Sequence, residues 1–269
     1  MFNASDAYDA DVTELEYVVD GAAARVTINR PDRRNAMSFE VMHSLREAMR
    51  DARADEHVRA VVITGAGDKA FCAGADLSAM GGGTDATAAH EGRGELAGLF
   101  REMWSLGKPT IARVRGYALA GGFGLAMACD FVIAADDAQF GTPEVNVGLW
   151  PYIITVPLLR SLPPRLAFEL MSTGRRVDAD EALRVGMVNR VVPVSELDAA
   201  VDELVATLAE KSPLALRQGR QAFFHALEMS SDEALDYLQA MLTVTSASED
   251  TREGIAAFVE KRPPKWTGR

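Results

Sequence analysis

Two short runs of β-branched and aromatic residues, "LEYVV" and "ARVTI", flank an Asp20-Gly21 turn signal and predict a hairpin over residues 14–29. Behind Ser38, an N-cap candidate, Val41, Met42, Leu45 and Met49 recur at helical spacing and predict a helix. A continuous apolar run at 60–65, ending in glycine, reads as a buried strand, because an unbroken apolar run leaves no side for water, and the runs at 107–116, 131–136 and 188–193 read as three more strands. Helical segments alternate with these strands, so the fold class is α/β. From Ser195 the pattern stays helical to about Val259 with no strand signal. The chain therefore divides into a sheet-bearing core over 1–194 and a helical region over 195–269. The low-complexity patch "GGGTDATAAH" (81–90) is predicted to be a flexible loop.

Composition narrows the function classes. The 269 residues are 48% hydrophobic, enough for a large core, and the formal net charge is −11. That charge argues against a broad surface for nucleic acid or anionic membrane, though a local basic pocket for an anionic ligand stays open. Two cysteines, Cys72 and Cys129, read as free thiols of a reducing compartment, and the N-terminus has neither the basic nor the apolar region of a secretory signal. No uncharged apolar run reaches the roughly 20 residues of a membrane span. A cytoplasmic protein is expected. The four histidines lack metal-ligand spacing, so no metal is expected.

Four motifs carry candidate chemistry. "GAGDKA" (65–70) opens like a dinucleotide fingerprint, but neither a long amphipathic helix nor an acidic strand end follows it, which argues against a nicotinamide enzyme. "FCAGADLSAM" (71–80) reads either as a plain turn with Asp76 as a helix cap, or as a loop that points backbone N–H groups into a cleft. In "GYALAGGFGLAMACD" (116–130), Gly121, Gly122 and Gly124 fall where a helix should start or run, and each interior glycine costs about 0.5–1 kcal/mol relative to alanine. They serve either close helix packing or the approach of a ligand to unpaired helix N–H groups. In "FGTPEVNVGLWP" (140–151), Glu144 lies in apolar surroundings, as a buried structural partner or as a proton-transfer group with a raised pKa. Cys72 reads as a packed thiol before a reactive one.

Taken together and in order, "VTINRPDRRNAMS", "AVVITGAGDKAFCAGADLSAM", "GYALAGGFGLAMACDFVIAADDAQFGTPEVNVGLWP", "LMSTGRRVDADEALRVGMVNRVVP" and "EGIAAFVEKRPPKW" resemble the enoyl-CoA hydratase/isomerase (crotonase) family from about Thr13 to the C-terminus. The resemblance implies a spiral of ββα units with a helical C-terminal trimerisation region, giving a homotrimer or a dimer of trimers. It implies an acyl-CoA thioester substrate and no cofactor beyond that coenzyme A. It maps two oxyanion donors onto the backbone N–H groups of Ala73 and Gly121, and the second of two family glutamates onto Glu144. Substrate contacts are expected from Gly74, Ala75, Asp76, Gly122, Gly124 and Trp150 around the acyl group. Arg33, Arg34, Lys261 and Lys265 are expected near the phosphates, where they read equally well as surface charges. The departure lies at Gly124, where hydratases of the family carry their first glutamate. With one carboxylate, isomerisation of a double bond is favoured chemically. Hydration in fatty or branched acyl-CoA metabolism and a non-catalytic acyl-CoA-binding role are the alternatives.

Overall fold

The computed structural model describes residues 13–76 and 86–269. Strands β1 (Leu15–Asp20) and β2 (Ala23–Ile28) form the expected antiparallel hairpin, with Gly21 at a φ of +58° in its turn. Helix α1 (Phe39–Ala54) begins where expected, with the Ser38 hydroxyl accepting from the Val41 amide at 3.2 Å. The apolar runs become β3 (Ala60–Gly65), β5 (Thr110–Val114), β7 (Phe131–Ala135) and β10 (Arg190–Val192). These and the hairpin make a six-stranded sheet in the order β1-β2-β3-β5-β7-β10, parallel from β2 onward.

A second sheet is built from three-residue strands too short to show a period in the sequence. Its order is β4 (Ala70–Cys72), β6 (Tyr117–Leu119), β8 (Gln139–Gly141) and β9 (Arg176–Asp178). The chain thus gives one strand to each sheet before the next helix: β3 and β4 precede α2 (Ala86–Trp104), and β5 and β6 precede α3 (Gly121–Ala128). β7 and β8 precede α4 (Thr155–Ser161), and α5 (Pro164–Thr173) and α6 (Ala179–Arg184) follow. This is the expected spiral of ββα units. Of the predicted loop 81–90, residues 81–85 lie outside the described residues, and 86–90 are the first turns of α2 rather than loop.

The continuous apolar run of β3 has the expected cause, whereas β10 is exposed at Arg190 and only half-buried at Val191 and Val192. Val61 and Ile63 of β3 face the main core, which also holds Met42, Leu45, Leu99 and Phe140. Ala60 and Val62 face the opposite way, onto Leu197, Val201 and Leu208 of α7 (Leu197–Ala209). Helices α8 (Pro213–Ala226), α9 (Ser231–Ser246) and α10 (Glu249–Glu260) complete the chain. Leu235 and Leu242 on α9 and Ile255, Phe258 and Val259 on α10 stand in solvent, Phe258 at 85% exposure. No helix among the described residues is long and apolar enough to cross a membrane.

Candidate active site

Strands β4, β6 and β8 are parallel neighbours, so their C-terminal ends open on one side of the small sheet. Ala75 lies three residues beyond β4, Gly121 two beyond β6 and Glu144 three beyond β8. Such strand ends are the usual place for a ligand in an α/β sheet. The Ala120 amide donates to the Gly141 carbonyl at 2.9 Å, which ties the last two segments together.

Hydrogen bonds set the direction of the amides. The Met37 amide donates to the Gly74 carbonyl at 2.8 Å, and the Asp76 amide donates to the Met37 carbonyl at 2.9 Å. In a trans peptide the C=O and N–H point opposite ways, so the N–H of Ala75 is turned away from Met37. The same reasoning holds at the helix start. The Ala120 carbonyl accepts from the Gly124 amide at 3.0 Å, so the N–H of Gly121 points out of the N-terminus of α3. A Cβ on Gly121 would stand 3.7 Å from the Ala75 nitrogen, and one on Gly74 would stand 3.3 Å from the Gly121 nitrogen. The two amides are neighbours, and neither has an acceptor among the described residues.

This corrects one expected donor. The Ala73 amide donates to the Arg34 carbonyl at 3.0 Å and is not free. The free amide on this loop belongs to Ala75. Gly74 adopts a φ of +105°, a conformation a side chain would strain, and Ala120 holds φ +50° and ψ −127° just before the helix. A non-glycine residue held this way costs about 1–3 kcal/mol and persists only where its surroundings enforce it.

The three glycines of the helix start now separate. Gly121 leaves an amide open. Gly122 is a packing glycine, since its Cβ would lie 2.7 Å from the carbonyl carbon of Cys72. Gly124 is one as well: a Cβ there would press on Cγ2 of Ile154 and lie 2.6 Å from its Cβ. Gly124 therefore faces a packed isoleucine and not an open substrate cleft, contrary to the expected substrate contact.

Glu144 sits in a short 3-10 turn, Pro143–Val147, whose entry is fixed by the buried Thr142 hydroxyl donating to the Leu170 carbonyl at 2.9 Å. Its Oε2 is buried without a hydrogen-bond partner, and desolvation raises its carboxyl pKa above the usual range. Nearby, the rings of Trp150 and Phe168 meet at a tilt of 47° with centroids 5.9 Å apart, and Trp150 also packs against the core.

Asp76 does not stand free in the cleft. Its Oδ2 accepts from Arg30 at 2.9 Å and Arg33 at 3.1 Å, and both Asp76 and the Arg30 side chain are buried. The helix that Asp76 was expected to cap lies outside the described residues. Arg33 is thus bound to Asp76, while Arg34 is exposed in a left-handed conformation. Lys261, the left-handed C-cap of α10, and Lys265 are exposed on the C-terminal segment, and no bond brings either to Gly121 or Glu144. Cys72 is buried behind β4 with its thiol pushed up to about 12, the state of a packed rather than a reactive cysteine.

One residue the sequence did not single out holds the loops in place. Asn35, at φ +56° and 1% exposed, donates to the carbonyls of Ala66 at 2.9 Å and Ala70 at 2.7 Å and accepts from the Arg30 amide at 3.0 Å. Asparagine tolerates the left-handed region better than most residues, which was its only sequence-level signal. Loop stability then follows from a small buried network. Asp76→Ala removes the buried partner of Arg30 and leaves it the half-exposed Glu14, 2.9 Å away, as counter-charge, and a loss of about 1–3 kcal/mol is expected in urea unfolding. A loss under about 1 kcal/mol would mean that the pair does not hold the loop.

Two amides without acceptors among the described residues and a desolvated carboxylate thus follow the ends of neighbouring parallel strands of a ββα spiral. The family model for enoyl-CoA hydratase/isomerase matches residues 19–269, and the chain belongs to that family of acyl-CoA enzymes. It is 40% identical over 262 residues to a carnitinyl-CoA dehydratase of Escherichia coli, with 95% of this chain and 98% of that protein covered. A crystal structure of an enoyl-CoA hydratase from Bacillus anthracis superposes with a TM-score of 0.90 at 31% identity, covering 95% of this chain and all of the other. One from Mycobacterium smegmatis does so at 0.90 and 34%, covering 94% and 98%.

Proposed function

We propose that the protein isomerises the double bond of an enoyl-CoA thioester through a single carboxylate. The thioester oxygen takes the amides of Ala75 and Gly121. The Glu144 carboxylate removes the proton from Cα, the C–H electrons enter the conjugated system, and the carbonyl becomes an enolate oxygen. Each such amide donor is worth about 10²–10³ in rate where one has been removed from comparable sites. Glu144 then returns the same proton to the γ-carbon, which shifts the double bond without a water or a second acid. No metal or redox group has a step to perform; coenzyme A enters only as part of the substrate.

The observation that carries this reading is the pairing of a desolvated Glu144, whose Oε2 has no hydrogen-bond partner among the described residues, with a filled position 124. Burial gives Glu144 the raised basicity a proton shuttle needs. Ile154 occupies the space a carboxylate on residue 124 would need. Lyase chemistry is the second reading, favoured by the names of the relatives, a dehydratase and two hydratases. Product analysis separates them. Incubation of 3-enoyl-CoA and 2-enoyl-CoA substrates in deuterium oxide is expected to give the isomeric enoyl-CoA with little deuterium incorporated, because Glu144 carries the same proton from Cα to the γ-carbon. Brisk formation of 3-hydroxyacyl-CoA would overturn the isomerase reading in favour of the lyase.

A thioester-specific site also predicts selectivity. CoA thioesters are expected to bind and the matching free acids not, since a free carboxylate would bring its own charge next to Glu144. Equal affinity by calorimetry would refute this. The assembly proposed with this function is a homotrimer or its double, built on the exposed apolar residues of α9 and α10. Light scattering at micromolar concentration is expected to show three or six subunits, and a monomer would contradict it. The buried free cysteines fit the reducing cytoplasm as the compartment.

A further inference from the structure

A cavity of about 930 Å³ opens between the main body and the C-terminal helices, at the other end of the strands. Arg59 immediately precedes β3 and Lys108 nearly adjoins β5, whereas Ala75 and Gly121 follow the far ends of β4 and β6. None of the residues that line the cavity belongs to the segments 73–76, 119–122 or 141–148 that carry Ala75, Gly121 and Glu144. The cavity is therefore separate from the thioester site.

Its charge is opposite to that of the protein. In a chain of formal net charge −11, arginine and lysine dominate the lining, and Glu56 and Glu228 are its acidic side chains. Glu228 is taken by Arg160 at 2.7 Å. The Lys108 ammonium donates to the carbonyls of Ala52 at 2.6 Å and Asp55 at 2.5 Å, and Arg59 donates to the carbonyl of Lys211. Arg53 donates to the Ser105 hydroxyl at 3.0 Å. These neutral acceptors hold the cations in place and cancel none of their charge. Burial lowers the pKa of both Lys108 and Arg59, and the neighbouring Arg59 charge adds to the effect on Lys108, against an opposing pull from Asp55.

Further donors are unspent. Arg101 and Arg217 line the cavity, are exposed, and have no side-chain partner among the described residues. Arg160 is clamped between Trp104 at 4.7 Å and Phe224 at 5.1 Å, and its Nε is buried with no acceptor. The planar fork of arginine matches phosphate oxygens, and the exposed guanidinium groups of Arg101 and Arg217 are free to present it. An acidic patch of another protein would meet the same charge, but a concave site of this size suits a small molecule better than a protein surface.

We propose that this cavity binds a phosphorylated small molecule, with Arg101 and Arg217 gripping phosphate oxygens at the rim. The proposal does not rest on the isomerase reading. Titration calorimetry of the full chain with inorganic pyrophosphate, and separately with ATP, tests it. Saturable binding of pyrophosphate is expected, weakened about tenfold or more in Arg101→Ala/Arg217→Ala, because each lost charge-assisted bond is worth a factor of about ten or more. Arg33→Ala/Arg34→Ala, on the thioester side, is expected to bind as the wild type does, and saturating coenzyme A is expected to leave the affinity within about twofold. Tighter binding of ATP than of pyrophosphate indicates an organic phosphate ester; equal binding indicates that the polyphosphate alone is recognised. The proposal fails if neither probe binds saturably at millimolar concentration, if coenzyme A displaces pyrophosphate competitively, or if the folded double variant binds undiminished.

Discussion

Glu144→Gln is expected to abolish turnover of every CoA thioester the protein accepts, a loss of about 10²–10⁴ or more if the side chain is the only proton shuttle. The substitution keeps shape and hydrogen-bonding capacity and removes only basicity. It is also expected to leave the fold as stable or more stable at neutral pH, and the sign follows from linkage. Burial raises the Glu144 pKa in the folded protein above its unfolded value. Between the two values the folded state therefore binds more protons than the unfolded state, and stability falls as pH rises through the folded pKa. Glutamine has no such titration. Urea unfolding across the acid range should then show wild type and variant converging at low pH, diverging between the unfolded and the raised folded pKa, and holding a constant gap above it, the variant on top. Wild-type activity should rise with pH through the same window, because the ionised form is the base. Undiminished turnover in the glutamine variant would remove Glu144 from the chemistry. A variant that is inactive and also unfolded would contradict the linkage argument.

Much of this was legible in the sequence because it depends on local pattern. The hairpin, the Ser38 cap and the apolar run of β3 rest on turn chemistry, capping and burial on two faces, each visible within a dozen residues. Motif order carried the family over nearly the whole chain, in agreement with the match to residues 19–269. What the sequence could not show was set across long separations. "CAGAD" offers several successive amides, and which one stays free depends on Arg34 and Met37, which claim the Ala73 amide and the Gly74 carbonyl from another segment. The strands β4, β6 and β8 are three residues each, too short for an alternation, yet their common end gathers Ala75, Gly121 and Glu144. Asn35 is a plain polar residue in the sequence and the buried tie between two loops in the fold. The basic cavity draws on segments around residues 53–59, 101–109, 160 and 217, none of which is a charge run by itself.

Gly124 shows why a missing side chain needs its surroundings before it is read. In the sequence it marks an absent carboxylate, and restoring one looks like a gain of hydratase function. In the structure the vacancy is filled: Ile154, 3% exposed and part of the main core, lies against the point from which the side chain would grow. Gly124→Glu alone is therefore expected to lose stability by about 1–3 kcal/mol through overpacking, more if the carboxylate stays buried, with no gain in hydration. Ile154→Ala alone is expected to cost about 2–5 kcal/mol through the cavity it leaves. Combined, the two exchange volumes at one contact, so the double variant should be more stable than the sum of the singles by about 0.5–3 kcal/mol. Only there does a second carboxylate have room in the first turn of α3, beside the free Gly121 amide. Hydration of a 2-enoyl-CoA is expected to rise about 10²-fold over the wild type in that variant, the worth of one well-placed acid–base group. Thermal unfolding and product analysis on the two singles and the double decide the matter. A single Gly124→Glu variant of wild-type stability would show that Ile154 is no obstacle. A stable, additive double variant with unchanged products would show that the reaction is set elsewhere than by the carboxylate missing from position 124.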